Sequence, residues 1–569
     1  MFKNLFRKKS IERLIREKEA DANPLKKVLS VKDLTFMGIA AVVGAGIFST
    51  IGSAAYNGGP GVSTLFIITA ITCGFTALCY AEFASRIPVS GSAYTYSYVA
   101  FGELAAWIIG WALILEYSIG NIVVAISWSS YFNNLLVHLF NIHLPDWMII
   151  DPMTAKNAFL ESTAMLSSGV ELSAKQVQAY EFAIHAYNSA PMLGDTKIFF
   201  NLPAFIIVAL VTWLAYIGIK ESKRTANFMV YFKVAVILFV IVAGAFFVDT
   251  NNWRPFLPNG FEGVLKGVSA VFYAYIGFDA ISTMAEETKD PQRDMPRGMI
   301  YSLLICTGLY ILIALTLTGI EHYSHFNNVS DPLAFVFEER APWIEKIVSI
   351  SAVVATTSVL LVFQIGQPRI WMSMSRDGLL PKRFQKVHPK YQTPSFATLI
   401  TGVIVGIGAL FIESDLVTDL TSIGTLFAFI LVSGGVLFLP PKIKEKGKFN
   451  LPYLNGKWII PALFLLFVYI FRNRTVAAFT EFNLGNTQEV LFIIFLIFAF
   501  FISIMTFVRN YSVIPIMGVL MCSYMMIEIP LVSWKWFMVW MILGLAIYFL
   551  YGYRNSKLAS NQPSTTEQV

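Results

Sequence analysis

The chain has 569 residues, of which 56% are hydrophobic and 14% charged, with a mean hydropathy of +0.62 and a net charge of +6. A soluble domain carries roughly 25% charged residues, so most of this surface cannot face water and a string of soluble domains is excluded. The positive surplus sits in the connections between long apolar runs, which points to membrane topology and away from nucleic acid.

Taken from the start, the N-terminus LFRKKSIERLIREKE is basic and lacks the apolar centre of a cleavable signal. Leu5, Ile11, Leu14 and Ile15 are spaced for an amphipathic helix lying beside anionic lipid. A spanning helix needs about 20 mostly apolar residues, because unpaired backbone groups are too costly in hydrocarbon. Such runs lie near 34–55, 62–85, 103–132, 201–219, 227–248, 263–285, 299–320, 343–368, 395–412, 416–438, 458–476, 489–508, 511–529 and 534–553. The organisation that follows is a cytoplasmic basic segment (1–30), a transmembrane core (31–440), additional helices (441–553) and a disordered tail rich in Ser, Thr and Gln (554–569).

With both termini inside, about 31 of the 42 Lys and Arg fall on the cytoplasmic side and about 10 outside. Arg472 and Arg474 are the blemish, because they land outside. The stretch 141–200 is polar and external, with a short helix predicted near Ala174 to Tyr187. Cys73, Cys79, Cys306 and Cys522 lie in apolar runs and read as packing residues, and the six histidines read as solvated.

Two spans are interrupted by glycine at comparable places. The first reads VVGAGIFSTIG, with Gly44 and Gly46 mid-span; the sixth reads VFYAYIGFDAIS, with Gly277 followed by Asp279. Five spans separate the breaks, so the two segments run oppositely through the membrane, the pattern of an inverted repeat with discontinuous helices. A helix broken at Gly44–Ala45–Gly46 presents backbone N–H groups to a carboxylate, and carbonyls freed at the two breaks suit an ammonium. That pairing fits an α-amino acid zwitterion. Glycines also permit close helix packing, which is the plainer alternative.

Ionisable residues inside spans are costly and mark pathways or pairs. Glu116 (ALILEYSIG) can bind an ammonium or a basic side chain, or pair with another helix. Lys233 (FMVYFKVAVIL) can occupy a cation site and exchange protons, or snorkel. Asp279 can bind or cap. Phe272, Tyr273, Tyr275 and Phe278 surround the second break, and Tyr273 is the gate candidate. No HExxH, GxSxG or P-loop pattern is present, which argues against a membrane enzyme or an ATP-driven pump. Exchange without net proton coupling, and a sensor that binds without moving its ligand, both stay open.

The quoted motifs resemble those of the amino acid–polyamine–organocation permeases. GAGIFSTIG (44–52) looks like the first-helix motif of that superfamily, and YAEFASRIPVSGSAYTYSYVAFGE (80–103), AEETKDPQRDMPRGM (285–299) and RIWMSMSRDGLLP (369–381) resemble its cytoplasmic connections. WALILEYSIG and Lys233 are most similar to the cationic amino acid transporter branch. The match covers roughly 30–440 and 509–553. It implies an all-α polytopic membrane protein with a leucine-transporter-like fold, two inverted five-helix repeats plus about four further helices, in the cytoplasmic membrane. It implies secondary transport of an amino acid, driven by protons, with the lipid bilayer as its other partner, no cofactor and no nucleic acid. The substrate-binding set is then Gly44, Ala45, Gly46, Ile47, Glu116, Tyr273, Tyr275 and Gly277. The proton-coupling set is Lys233, in the place of a sodium ion and facing Thr356, Thr357 and Ser358, together with Asp279. The long loop 141–200 and the helix pair 458–508 depart from the bacterial pattern. Ala355 to Leu361 contains no acidic residue, which leans the substrate towards a small neutral amino acid.

Overall fold

The computed structural model describes residues 5–19, 25–44, 46–167, 174–326, 329, 331–439, 449–480 and 487–560. Every run predicted above falls on helix, and among the described residues strand is confined to a two-residue hairpin, Met192–Leu193 with Thr196–Lys197. The principal helices are α1 (Val31–Val42), α2 (Ile51–Gly58), α3 (Val62–Arg86), α4 (Ser92–Ala100), α5 (Glu103–Phe140), α6 (Leu202–Ile217), α7 (Ile219–Gly244) and α8 (Val268–Tyr273). They continue as α9 (Pro291–Ile320), α10 (Pro342–Arg376), α11 (Ser395–Phe411), α12 (Ser414–Val436), α13 (Ile459–Ile470), α14 (Arg472–Thr480), α15 (Thr487–Arg509), α16 (Val513–Ile527) and α17 (Leu531–Ile547).

Among the described residues nine helical stretches are long and apolar enough to cross a membrane, ten if the bent pair α13 and α14 is one span. α6, α11 and α16 are apolar but only 16, 17 and 15 residues long. At 1.5 Å per residue they reach about 22–26 Å, short of a hydrocarbon core of about 30 Å. This is a polytopic all-α membrane protein.

The interior is built around the two interrupted segments. α1, the sixth span, α5 and α10 pack together, and the α5 and sixth-span windows are 89% buried against 33% for α15 and 28% for the last span. Those outer helices turn apolar side chains such as Ile497, Phe501, Val539 and Ile542 outward, as lipid-facing surfaces do.

The polar stretch after α5 holds more order than predicted. The expected helix is present as Ala174–Ser189, and a second, Pro152–Ser167, packs on it. Tyr187 stacks between Phe159 and Phe199, and Lys197 sits 4.2 Å over its ring, which gives the loop a small core of its own.

Both tails correct the sequence reading. The helix Ile11–Glu19 forms, but Leu5 and Leu14 are buried against the protein, and the Glu103 and Leu104 amides donate to Arg7 O and Leu5 O at 2.9 and 3.0 Å. Lys9 is buried in an ion pair with Asp377, 2.5 Å long. Residues 554–560, expected to be unstructured, are held at the same place: Ser556 Oγ donates to Glu103 Oε2 and the Lys557 amide to Asp377 O. α13 and α14 bend by 73°, and Arg474 is half-buried between Glu528 at 2.7 Å and Glu489 at 3.3 Å.

Candidate functional site

The first break begins where Val43 leaves the helix with φ −80° and ψ 95°, and one wide turn, Gly46–Thr50, leads into α2. The second lies between Tyr273 and Phe278, where Gly277 adopts φ +118°, open to glycine and strained for any L side chain. The breaks face each other reciprocally. A Cβ added to Gly46 would overlap the Ala274 backbone, and one added to Gly277 would lie 2.7 Å from Ala41 Cβ. Gly44 meets Val359 of α10 in the same way. The glycines therefore do let the chains approach closely. Ile47 is fully buried, and its amide and that of Phe48 both donate to Gly44 O at 3.1 Å. Ala45 lies outside the described residues.

A helix end leaves four carbonyls without intrahelical partners, at the negative end of its dipole. At the end of α1 two side chains supply what is missing. Lys233 of α7, wholly buried, donates to Ala40 O at 3.0 Å, Val43 O at 2.6 Å and Ser358 Oγ of α10 at 2.9 Å. Ser358 donates its own proton to Ala355 O at 2.7 Å, so its lone pair is available to the lysine. An ammonium has three N–H bonds and here meets three acceptors. The Tyr310 hydroxyl of α9 lies 2.8 Å from both Val42 O and Ala274 O, one proton between carbonyls of the two breaks.

The sequence matches the family model "Amino acid permease" over residues 29–503 and the model for its C-terminus over 511–556. The chain belongs to the amino acid permease family. It is 37% identical to the branched-chain amino acid permease BcaP of Bacillus subtilis (strain 168), across 98% of this chain and 99% of that one. It is 36% identical to the methylthioribose transporter of the same organism, with the same coverage. It is 29% identical to cationic amino acid transporter 3, mitochondrial, of Arabidopsis thaliana, over 94% of this chain and 92% of that one. Several further cationic amino acid transporters match, which places the permease within the amino acid–polyamine–organocation superfamily on that branch. It is a carrier and not an enzyme.

Within the permease the other candidate residues separate into two levels. Thr357, expected to face Lys233, instead bonds Trp128 Nε1 at 2.8 Å and its own helix at Val353 O, and Thr356 donates to Ala352 O. On a helix three adjacent residues cannot share one face, so Ser358 alone of the three hydroxyls meets the lysine. The Tyr275 hydroxyl donates to Phe66 O of α3 at 3.0 Å. Tyr273 is buried at the second break and its hydroxyl has no hydrogen-bond partner among the described residues.

Asp279 follows the second break by two residues, in the first turn after Gly277, and Glu116 lies near it. Gly366 of α10 packs on Tyr117, eight residues beyond Ser358 and so roughly 12 Å further along that helix. Asp279 Oδ2 accepts from the Tyr117 hydroxyl at 3.2 Å, and Asp279 and Glu116 are close enough to interact electrostatically. Glu116 packs against Gly424 of α12. Neither of its oxygens, nor Asp279 Oδ1, has a hydrogen-bond partner among the described residues.

Sequence reasoning missed three features. Tyr310 is one of several hydroxyls in its apolar run, with Ser302, Thr307, Thr316 and Thr318, and nothing local set it apart. Arg369 forms a buried two-point pair with Glu287, 2.7 and 2.5 Å, and Arg376 pairs with Glu286 at 3.0 Å; each partner lay in a quoted motif, in opposite charges that were never paired. Removing one member of such a buried pair costs about 3–5 kcal/mol. The chain entering α1 is bonded to the chain leaving the sixth span, with the Val28 and Leu29 amides donating to Glu287 O and the Lys289 amide to Leu29 O. The two interrupted segments are thus tied at their ends as well as at their breaks.

Proposed function

We propose that this permease imports a neutral aliphatic amino acid by proton symport through alternating access, with both termini cytoplasmic. In this reading spans one to five and six to ten form a leucine-transporter-like inverted repeat, and the substrate is held between the breaks at Gly44–Gly46 and Tyr273–Gly277. The observation that carries the reading is the reciprocal approach of the two breaks, capped by a buried lysine. Discontinuous helices crossing at mid-membrane are the usual build of a solute site in such carriers. The tie between α1 and the sixth span supports their moving as one body.

The coupling proposal rests on Lys233. As an ammonium it satisfies Ala40 O, Val43 O and Ser358 Oγ together and joins α1 to α10. As a neutral amine it keeps two N–H bonds, so one contact goes with the proton. A ligand shifts a conformational equilibrium only through differential affinity, and the proton has it here. Glu116 and Asp279 form a second polar level that offers acceptor oxygens to a proton or an ammonium on its way through.

The substrate proposal rests on the surroundings of the breaks. Val42, Val43, Ile47, Ala274 and Val359 are buried and apolar, and no acidic residue lies between Ala355 and Leu361 to meet a basic side chain. The branched-chain relative agrees, whereas the methylthioribose relative at nearly equal identity means that identity alone does not select the cargo. The test is counterflow into proteoliposomes preloaded with each of the twenty amino acids. Valine, leucine, isoleucine or alanine should give the largest signal, and a signal confined to arginine and lysine overturns the substrate assignment.

A further inference from the structure

α6 and α11 are apolar helices of only 16 and 17 residues and pack on each other through Gly402, whose added Cβ would lie 2.5 Å from Thr212. Beside that contact runs a groove of about 390 Å³ lined by Phe205, Ala209, Trp213, Tyr216, Leu399 and Val403. Its volume falls in the roughly 300–1,000 Å³ range of small-molecule sites. Phe205, Trp213, Leu399 and Val403 are exposed, so within a membrane the groove opens to lipid. The Thr212 hydroxyl on its wall is already engaged by Gln364 at 2.8 Å and Val208 O at 2.6 Å. The groove itself therefore suits a hydrocarbon chain.

Its end at Tyr216 differs in kind. The Tyr216 ring meets His388 and Tyr391, each with ring centroids 5.7 Å away, and Thr393 Oγ1 donates to Tyr216 O. Lys390 Nζ stands 5.3 Å over the Tyr391 ring, one aromatic ring removed from the groove wall. His388 Nδ1 accepts from the Lys390 and Tyr391 amides at 3.2 and 3.3 Å, which leaves Nε2 as the protonated, donating nitrogen. The connection from Gly378 to Pro394 also carries Lys382, Arg383 and Lys386 and has no acidic residue. Aromatic rings beside cations at the end of an apolar surface are the furniture of the headgroup level. Because α6 and α11 fall short of the hydrocarbon thickness, that level must come to them, or a lipid must be held there.

From the charge and shape together we infer that this groove binds an anionic phospholipid, with an acyl chain along α6 and α11 and the phosphate at Lys390 and the His388 Nε2–H. Each lysine near an anionic headgroup contributes on the order of a five-fold preference over a zwitterionic one. The inference needs only that the chain is embedded in a membrane and stands apart from the transport reading.

The test uses the full chain in nanodiscs of equal parts phosphatidylglycerol and phosphatidylcholine, with native mass spectrometry of the lipids retained on mild release. The wild type should keep phosphatidylglycerol at least about five-fold over phosphatidylcholine, with the excess falling in high salt. Lys386→Gln/Lys390→Gln should bring that ratio close to one, and Val403→Trp, which fills the groove from its open side, should reduce retention of both lipids. Equal retention of the two lipids by the wild type overturns the proposal. So does an unchanged ratio in the double variant. Loss of preference in the double variant with unaltered retention in Val403→Trp also overturns it, because it would assign the effect to surface charge without a groove.

Discussion

Replacing Lys233 by Met keeps the length of the side chain and removes its donors. Two carbonyls, Ala40 O and Val43 O, then lose their side-chain partner, at about 1–3 kcal/mol for each buried group left unsatisfied. Ser358 Oγ lies 3.3 Å from Ala40 O, but its single proton is committed to Ala355 O at 2.7 Å, so both carbonyls bear the loss. Against this stands the cost of burying an ammonium, several kcal/mol in a protein interior, which Met does not incur. The two terms offset to within a few kcal/mol, so Lys233→Met should fold, and thermal stability will not diagnose the role of the residue. Coupling will. With one proton carried per substrate, one unit of inward pH gradient supplies about 1.4 kcal/mol, or a ten-fold accumulation at equilibrium. In sodium-free proteoliposomes the wild type should approach that ratio. Lys233→Met should bind and exchange substrate yet hold an inside-to-outside ratio near one. A Lys233→Met protein that still accumulates substrate about ten-fold, and loses it on adding a protonophore, refutes the assignment.

Gly44→Ala should lower exchange strongly and be largely restored by Val359→Ala, because the obstruction is a side chain; Gly46→Ala should have no such rescue, because its neighbour is the Ala274 backbone. Equal rescue of both, read by counterflow, contradicts the crossing of the breaks. Glu116→Gln should weaken all substrates alike, since Glu116 packs against Gly424 of α12 and lies near Asp279; competition uptake that loses only arginine and lysine would put it on the side chain of the cargo. On the connection between α9 and α10, burial pushes the Asp331 carboxyl up to about 6, with Glu345 and Glu338 adding to the shift and an Asn134 hydrogen bond opposing it. A raised carboxyl binds its proton more tightly in the folded state, so folding takes up a proton between about pH 4 and 6 and this group becomes a cost as pH rises through that window. Asp331→Asn should therefore melt close to wild type at pH 4 and above it at pH 7.5, by up to about 3 kcal/mol; the opposite trend in thermal denaturation rules this out.

Helix positions, the two interruptions and the special status of Lys233 were legible because each leaves a local mark: apolar length, glycine within it, charge within it. What could not be read was which neighbours those marks would meet. Thr356, Thr357 and Ser358 are equivalent as a string, and only the rotation of α10 selects Ser358. Glu116 and Asp279 are mid-span like the breaks, and Asp279 directly follows the second one, yet the contact they share at Tyr117 meets α10 about two helical turns beyond Ser358. The tails misled for the complementary reason. Leu5 and Leu14 do form an apolar stripe, but the stripe is satisfied by protein, and composition cannot tell a lipid surface from a protein one. Tyr310 and the Arg369–Glu287 pair depend on contacts across the whole bundle and carry no signal in their own segments beyond being polar in apolar surroundings.

The central claim is that substrate and proton cross together through the paired breaks. Its most direct measurement is internal pH alongside labelled amino acid uptake in sodium-free proteoliposomes, starting with substrate outside and no pH gradient. The account predicts that adding leucine or alanine acidifies the lumen in step with uptake, and that Lys233→Met exchanges the same substrate without moving the pH. Uptake that leaves the internal pH unchanged, or that begins only when sodium is supplied, contradicts it.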